Sequence, residues 1–213
     1  MFKCDKSVVN EFKAIISRCI EDLSKKDSLR EELIKLSREI IRESSTVIHL
    51  LHRGEFEEAK ATLDELMKLV EEMRNKCEDF PEMLYAGFVL DSLAEYVEAK
   101  VFYCILTGEN IPSIDEMRVP VQSLLLGLGD VIGELRRAII IFLIKDDLEV
   151  ARRLLDTMSE LVDSLSKVHF PDALVPGLRR KCDIGRRLLD ETMADYLRAL
   201  ERKRLESYVS KIL

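Results

Sequence analysis

Apolar residues recur at three- and four-residue spacing along almost the whole chain, and strict apolar–polar alternation is nearly absent. The pattern predicts helices and almost nothing else. A first helix covers residues 6–24. Ser28-Leu-Arg-Glu31 has the spacing of a capping box, so a second helix is expected over 29–53, ending at Gly54. A third, over 55–76, gathers acids at its start, where the helix dipole favours them. Phe80-Pro81 opens a fourth that runs to Thr107-Gly108, and ENIPSIDEMRVP follows as a loop bounded by prolines. A fifth helix runs from Pro120 to about Lys145, Asp146-Asp147 cap a sixth to about Val168, and a seventh follows HFPDALVP to the end. Seven helices with short loops predict an all-α bundle, read as a single domain over residues 1–213.

The fourth and fifth helices are apolar around much of their circumference, yet each carries acids. Residues three or four apart share a helix face, so Asp91, Glu95 and Glu98 form one acidic stripe and Asp130 and Glu134 another. An average helix would carry such a stripe on a solvated face. A helix this apolar is expected to be buried, and a buried carboxylate must be compensated. The compensation is either cationic, with Arg136, Arg137 and Lys100 at hand, or a metal ion. Oxygen ligands without thiolate or imidazole suit a hard cation, Mg²⁺ or Mn²⁺. A di-iron site of the ferritin kind needs Glu-x-x-His pairs, and none of His49, His52 and His169 lies three residues after a glutamate. Gly127, Gly129 and Gly133 fall mid-helix around Asp130, each at a cost of ~1 kcal/mol against alanine. They serve either close helix packing or access of a ligand to the acids.

Composition narrows the class further. Nearly half the residues are hydrophobic (47%) and a third are charged (34%), which excludes disorder. The net charge of −7 argues weakly against duplex coating, which demands many Lys and Arg. From residue 176 onward, however, ten basic residues face six acids, so a confined basic surface is available. Five cysteines (Cys4, Cys19, Cys77, Cys104, Cys182) form no CxxC pair, which implies neither a zinc knuckle nor a disulfide framework and points to a reducing compartment. The N-terminus MFKCDKSVV has no apolar signal core, and the longest uncharged run of the fifth-helix segment, 119–129, is far short of the ~20 residues of a membrane span. A cytoplasmic protein is expected.

Two segments carry a resemblance: EYVEA at 95–99 and VPVQSLLLGLGDVIGELRR at 119–137, in that order. Together with SREIIRESS and LLHRG within 37–54 and LRRKCDIGRRLLDETMADYLRA at 178–199, they resemble the translin and Trax (translin-associated factor X) family, on its Trax side and in its archaeal-type form. The likeness covers nearly the whole chain. It implies a translin-type helical fold assembling into a hollow octamer, with a metal-dependent endoribonuclease acting on single-stranded RNA inside the shell. The catalytic and metal-binding acids of Trax map to Glu95, Glu98 and Asp130, with Glu134 as a fourth, and Mg²⁺ or Mn²⁺ as the cofactor. Arg137 aligns with a family arginine and could hold a phosphate or bridge Glu134; Arg38 and Arg53 are weaker RNA-binding candidates. Single-stranded RNA, also ssDNA, is the implied partner. Assembly is expected with copies of the chain itself, or with a translin-like subunit. The segment LYAGFV (84–89) lacks the basic residues translin has ahead of the fourth-helix motif, and the loop 108–120 is shorter than in eukaryotic Trax, so contacts there do not carry over. Two other readings stand beside the nuclease: a non-catalytic single-strand-binding shell, and a helical scaffold whose acids are merely salt-bridged.

Overall fold

The computed structural model describes residues 6–212 and contains seven α-helices and no strand among them. They are not the seven expected from the pattern. The first two merge into one 48-residue helix, α1 (Lys6–Arg53). No glycine or proline interrupts SKKDSLREE, and the expected capping box is not made: Ser28 Oγ donates back to the Ser24 carbonyl at 3.0 Å, and Glu31 pairs with Arg30 at 2.8 Å. The box that does form is Ser113-Ile-Asp-Glu116 in the expected loop. There the Ser113 hydroxyl accepts from the Glu116 amide and the Glu116 carboxylate accepts from the Ser113 amide at 2.8 Å, closing a one-turn helix α4 (Ile114–Met117).

The remaining elements follow the pattern with shifted ends. α2 covers Phe56–Lys76. Pro81–Tyr85 winds as a 3-10 turn, and α3 begins after it, at Gly87–Thr107. α5 is Val121–Ile144; α6, Leu148–Leu165, is capped by Asp147, which accepts from the Val150 amide; α7 is Leu178–Ile212. Gly54 and Gly108 take the left-handed conformation that ends α1 and α3, with φ of 79° and 76°.

α3 and α5 are the centre of the molecule. α3 packs against α1, α2 and α5, and α5 packs against α3, α6 and α7. That placement explains why both are apolar on nearly every side. Val89, Leu93, Val97, Val101 and Phe102 of α3 and Val131, Ile132, Leu135 and Ile139 of α5 are almost fully buried. Gly127 lets the two helices meet: a Cβ there would lie 2.5 Å from the Ala94 carbonyl oxygen and 2.7 Å from Val97 Cβ.

α1 extends beyond this core. Its first buried residue is Leu33, and before it Phe12, Ile15, Ile16, Ile20 and Leu23 are each more than half exposed. No helix of the described residues is long and apolar enough to cross a membrane. Among the cysteines, Cys19, Cys77, Cys104 and Cys182 are free; Cys4 and the start of the N-terminal segment lie outside the described residues.

Candidate metal and nucleic-acid site

The α3–α5 contact brings the two acidic stripes together. Glu95 and Glu98 project from α3, Asp130 and Glu134 from α5, and all four are partly buried. Burial raises the Glu98 carboxyl to about 8, helped by the negative charges of Asp130, Glu95 and Glu134. Glu95 is raised by the same causes: burial first, then Asp130. Asp91, the outer member of the α3 stripe, is exposed.

The compensating charges are not the expected ones. Arg136 turns away to α7, where it donates to Thr192 Oγ1 at 2.7 Å and pairs with Asp195 at 3.3 Å. Lys100 lies over the Tyr103 ring. Arg137 approaches Glu134 only at 3.8 Å and is half exposed. Instead, Lys181 of α7 forms an ion pair with Asp130. His52, near the end of α1, hydrogen-bonds Glu134 Oε2 through Nε2 at 2.5 Å. That bond, above all, holds the Glu134 carboxyl below its usual range. The His52 side chain is only 5% exposed, and its ring packs 5.0 Å from Phe102.

Both residues left traces in the sequence. His52 falls four residues after Ile48, on the stripe by which α1 enters the core. Lys181 falls four before Gly185, whose absent side chain makes room for Ile132 of α5: a Cβ at 185 would lie 2.8 Å from Ile132 Cδ1. The pairing of these positions across 82 and 51 residues is a tertiary fact that periodicity does not carry.

The three glycines of α5 divide the roles expected of them. Gly127 is a packing glycine, as above. Gly129 accommodates the Lys181 stem, whose Cδ would lie 3.0 Å from an added Cβ. Gly133 faces open space. A cleft of about 380 Å³ opens here, lined by Gly129, Asp130, Gly133, Arg180, Lys181 and Gly185 among others. A neighbouring hollow of about 500 Å³ is lined by Arg179, Arg180 and Arg187. Another cavity, about 540 Å³, is mostly apolar and sits at the far ends of α1, α3 and α5; of the residues that touch the acids, only His52 reaches it.

The other arginines expected at the site are peripheral. Arg38 is exposed on α1 without an ion-pair partner among the described residues, and Arg53 is exposed and pairs with Glu55 at 2.7 Å. Nor do the acids form a ready-made ligand set: among the described residues no three His, Cys, Asp or Glu side chains are grouped to hold a metal ion. Asp130 is turned to Lys181 and Glu134 to His52.

The arrangement has relatives. The Translin family model matches residues 28–190. An uncharacterized protein of Methanocaldococcus jannaschii is 33% identical over 195 residues, which is 91% of this chain and 86% of that one. A structure of AfC3PO bound to duplex RNA superposes with a TM-score of 0.82 at 34% identity, covering 89% of this chain and 98% of the other. AfC3PO alone gives 0.81 at 33% identity, covering the same shares. Apo-NeC3PO, at 23% identity and 0.77, shares the fold over 86% of this chain and 96% of that one. The family match spans the whole central bundle, including both acid-bearing helices, and the chain belongs to the translin family.

Proposed function

We propose that this chain is a divalent-metal-dependent endoribonuclease, a Trax-like subunit that cuts RNA at Glu95, Glu98 and Asp130, with Glu134 beside them. The observation that carries the reading is the charge imbalance between α3 and α5. Glu98 is pushed to about 8 by burial and by three other carboxylates, a cost that packing alone does not require. Relatedness supports RNA as the substrate class, since AfC3PO has been solved with duplex RNA.

The donor chemistry fits Mg²⁺ or Mn²⁺, because every acid offers oxygen and Lys181 is the cation that offsets the negative charge around Glu95 and Glu98. Glu95, Glu98 and Asp130 would hold the ion. When bound, such an ion supplies a water of lowered pKa and polarises the scissile phosphate. His52 fixes the Glu134 rotamer by donating from Nε2, which keeps that carboxylate ionised and makes it a poor base. A carboxylate of the site would accept the proton of that water. Arg137, half exposed beside Glu134, would meet a backbone phosphate; Arg38 and Arg53, exposed on α1, would be weaker contacts.

Assembly into a hollow homo-octamer fits the arm of α1, whose apolar side chains one copy leaves uncovered. A translin-like partner would satisfy the same surface.

The second reading is a binding shell without cleavage. The pairing of Asp130 and Glu134 within the protein favours it. Labelled single-stranded and duplex RNA should decide: Glu95→Ala, Glu98→Ala and Asp130→Ala should each cut the Mg²⁺-dependent rate by about a hundredfold or more. EDTA should abolish it. Wild-type cleavage by all three variants, with assembly intact, would refute the catalytic assignment. RNA binding without any metal-dependent cleavage would select the shell.

A further inference from the structure

The acids at the α3–α5 contact are unbalanced, yet Asp130 is not alone. Lys181 reaches it from the first turn of α7, across the helix surface that Gly129 leaves bare. Any side chain at 129 would press on the Lys181 stem, so the glycine and the lysine form one fitted pair. Lys181 also acts beyond Asp130: it is the cation that eases the ionisation of both Glu95 and Glu98. Its side chain is about one third exposed (31%) and borders the cleft of about 380 Å³, so it has somewhere to go. An ammonium on a flexible four-carbon stem is strongly hydrated and exchanges readily, unlike a forked guanidinium. It cannot share the Asp130 carboxylate comfortably with a divalent ion, because the two cations would repel at a separation of a few ångströms.

We propose that Lys181 is an exchangeable counter-ion: in the metal-free protein it stands in for the divalent cation at Asp130, and it must withdraw into the adjoining cleft before the ion can bind. The proposal rests on the reading of Glu95, Glu98 and Asp130 as cation ligands. It accounts for why these acids do not yet form a ligand set: one of them is turned toward α7 by its ammonium partner. It also makes the folded chain tolerant of metal loss, at the expense of metal affinity.

The test is Mn²⁺ titration calorimetry on the chelator-treated full-length protein, with thermal melts in parallel. Lys181→Met keeps the stem and removes the charge; it should bind Mn²⁺ on the order of tenfold more tightly than wild type. Its metal-free form should melt lower, and Mn²⁺ should raise its melting temperature more than it raises that of wild type. Lys181→Arg keeps the charge and can grip Asp130 with two N–H groups, so it should bind Mn²⁺ more weakly than wild type. This second variant preserves the ion pair and remains informative if Lys181→Met folds poorly. Equal Mn²⁺ affinity across wild type and both variants would overturn the exchange while leaving the metal site standing. No Mn²⁺ binding by any of them would overturn the exchange and the metal reading together.

Discussion

Glu98 offers the sharpest physical test that needs neither RNA nor metal. Replacing it with glutamine keeps the shape and removes the ionisable group. The folded chain holds the Glu98 proton up to about pH 8, against an ordinary 4.5, so it binds that proton more tightly than the unfolded chain does. Stability from this group is therefore complete below about pH 4.5 and declines as pH rises toward 8. The gap corresponds to a ceiling of about 5 kcal/mol once ionisation is complete, and to about 3 kcal/mol at pH 7. Solvent reaching the partly exposed carboxyl lowers both figures. Urea unfolding of chelator-treated protein, at fixed concentration, should show Glu98→Gln ahead of wild type by ~2 kcal/mol or more at pH 8.5 and within ~1 kcal/mol at pH 5. Glu134 does not blur the comparison: its lowered carboxyl supports the fold above its ordinary 4.5 and loses that support only in more acid solution. An equal difference at both pH values would refute the claim that burial and the neighbouring acids strain Glu98.

Gly127→Ala should destabilise the fold by about 1–3 kcal/mol, because the new methyl meets a backbone oxygen that cannot move aside. Gly133→Ala should be neutral or stabilising by up to ~1 kcal/mol in urea melts, and a drop in RNA cleavage by that variant would mark the open space as substrate room. Ser113→Ala should cost about 1 kcal/mol through loss of the α4 capping box, whereas Ser28→Ala should change the melt by less than ~0.5 kcal/mol. Ile16→Asp with Ile20→Asp should lower the mass seen by light scattering below that of the proposed octamer, eight times 24.6 kDa, without loss of helical circular dichroism; a mass unchanged from wild type would exclude the α1 arm from the assembly interface.

The helical nature of the chain and the two acid-bearing helices are legible because a 3.6-residue repeat is a local signal. So is the burial of α3 and α5, since helices apolar on every side have nowhere else to go. The break expected near Ser28 fails for a local reason too: S-x-x-E occurs at Ser28, Ser92 and Ser113, and of the three only Ser113 follows a proline-containing segment that ends the preceding helix. The charge balance of the site is a different matter. Arg136 and Arg137 stand beside the acids in sequence, yet the ridge positions of α5 and α7 send Arg136 to Asp195 and bring Lys181 to Asp130. His52 and Glu134 meet only because α1 and α5 both pack on α3. Such pairings depend on where helices cross, which no single segment encodes.

On the function proposed above, carboxylates from α3 and α5 grip one divalent cation. Crystals of the full-length protein soaked in Mn²⁺ test it directly through the anomalous signal of the metal. A peak is expected between the two helices within coordination distance of Glu95, Glu98 and Asp130, with the Lys181 ammonium moved off Asp130. A map without a peak there, or with Mn²⁺ bound elsewhere while Lys181 still holds Asp130, would contradict it.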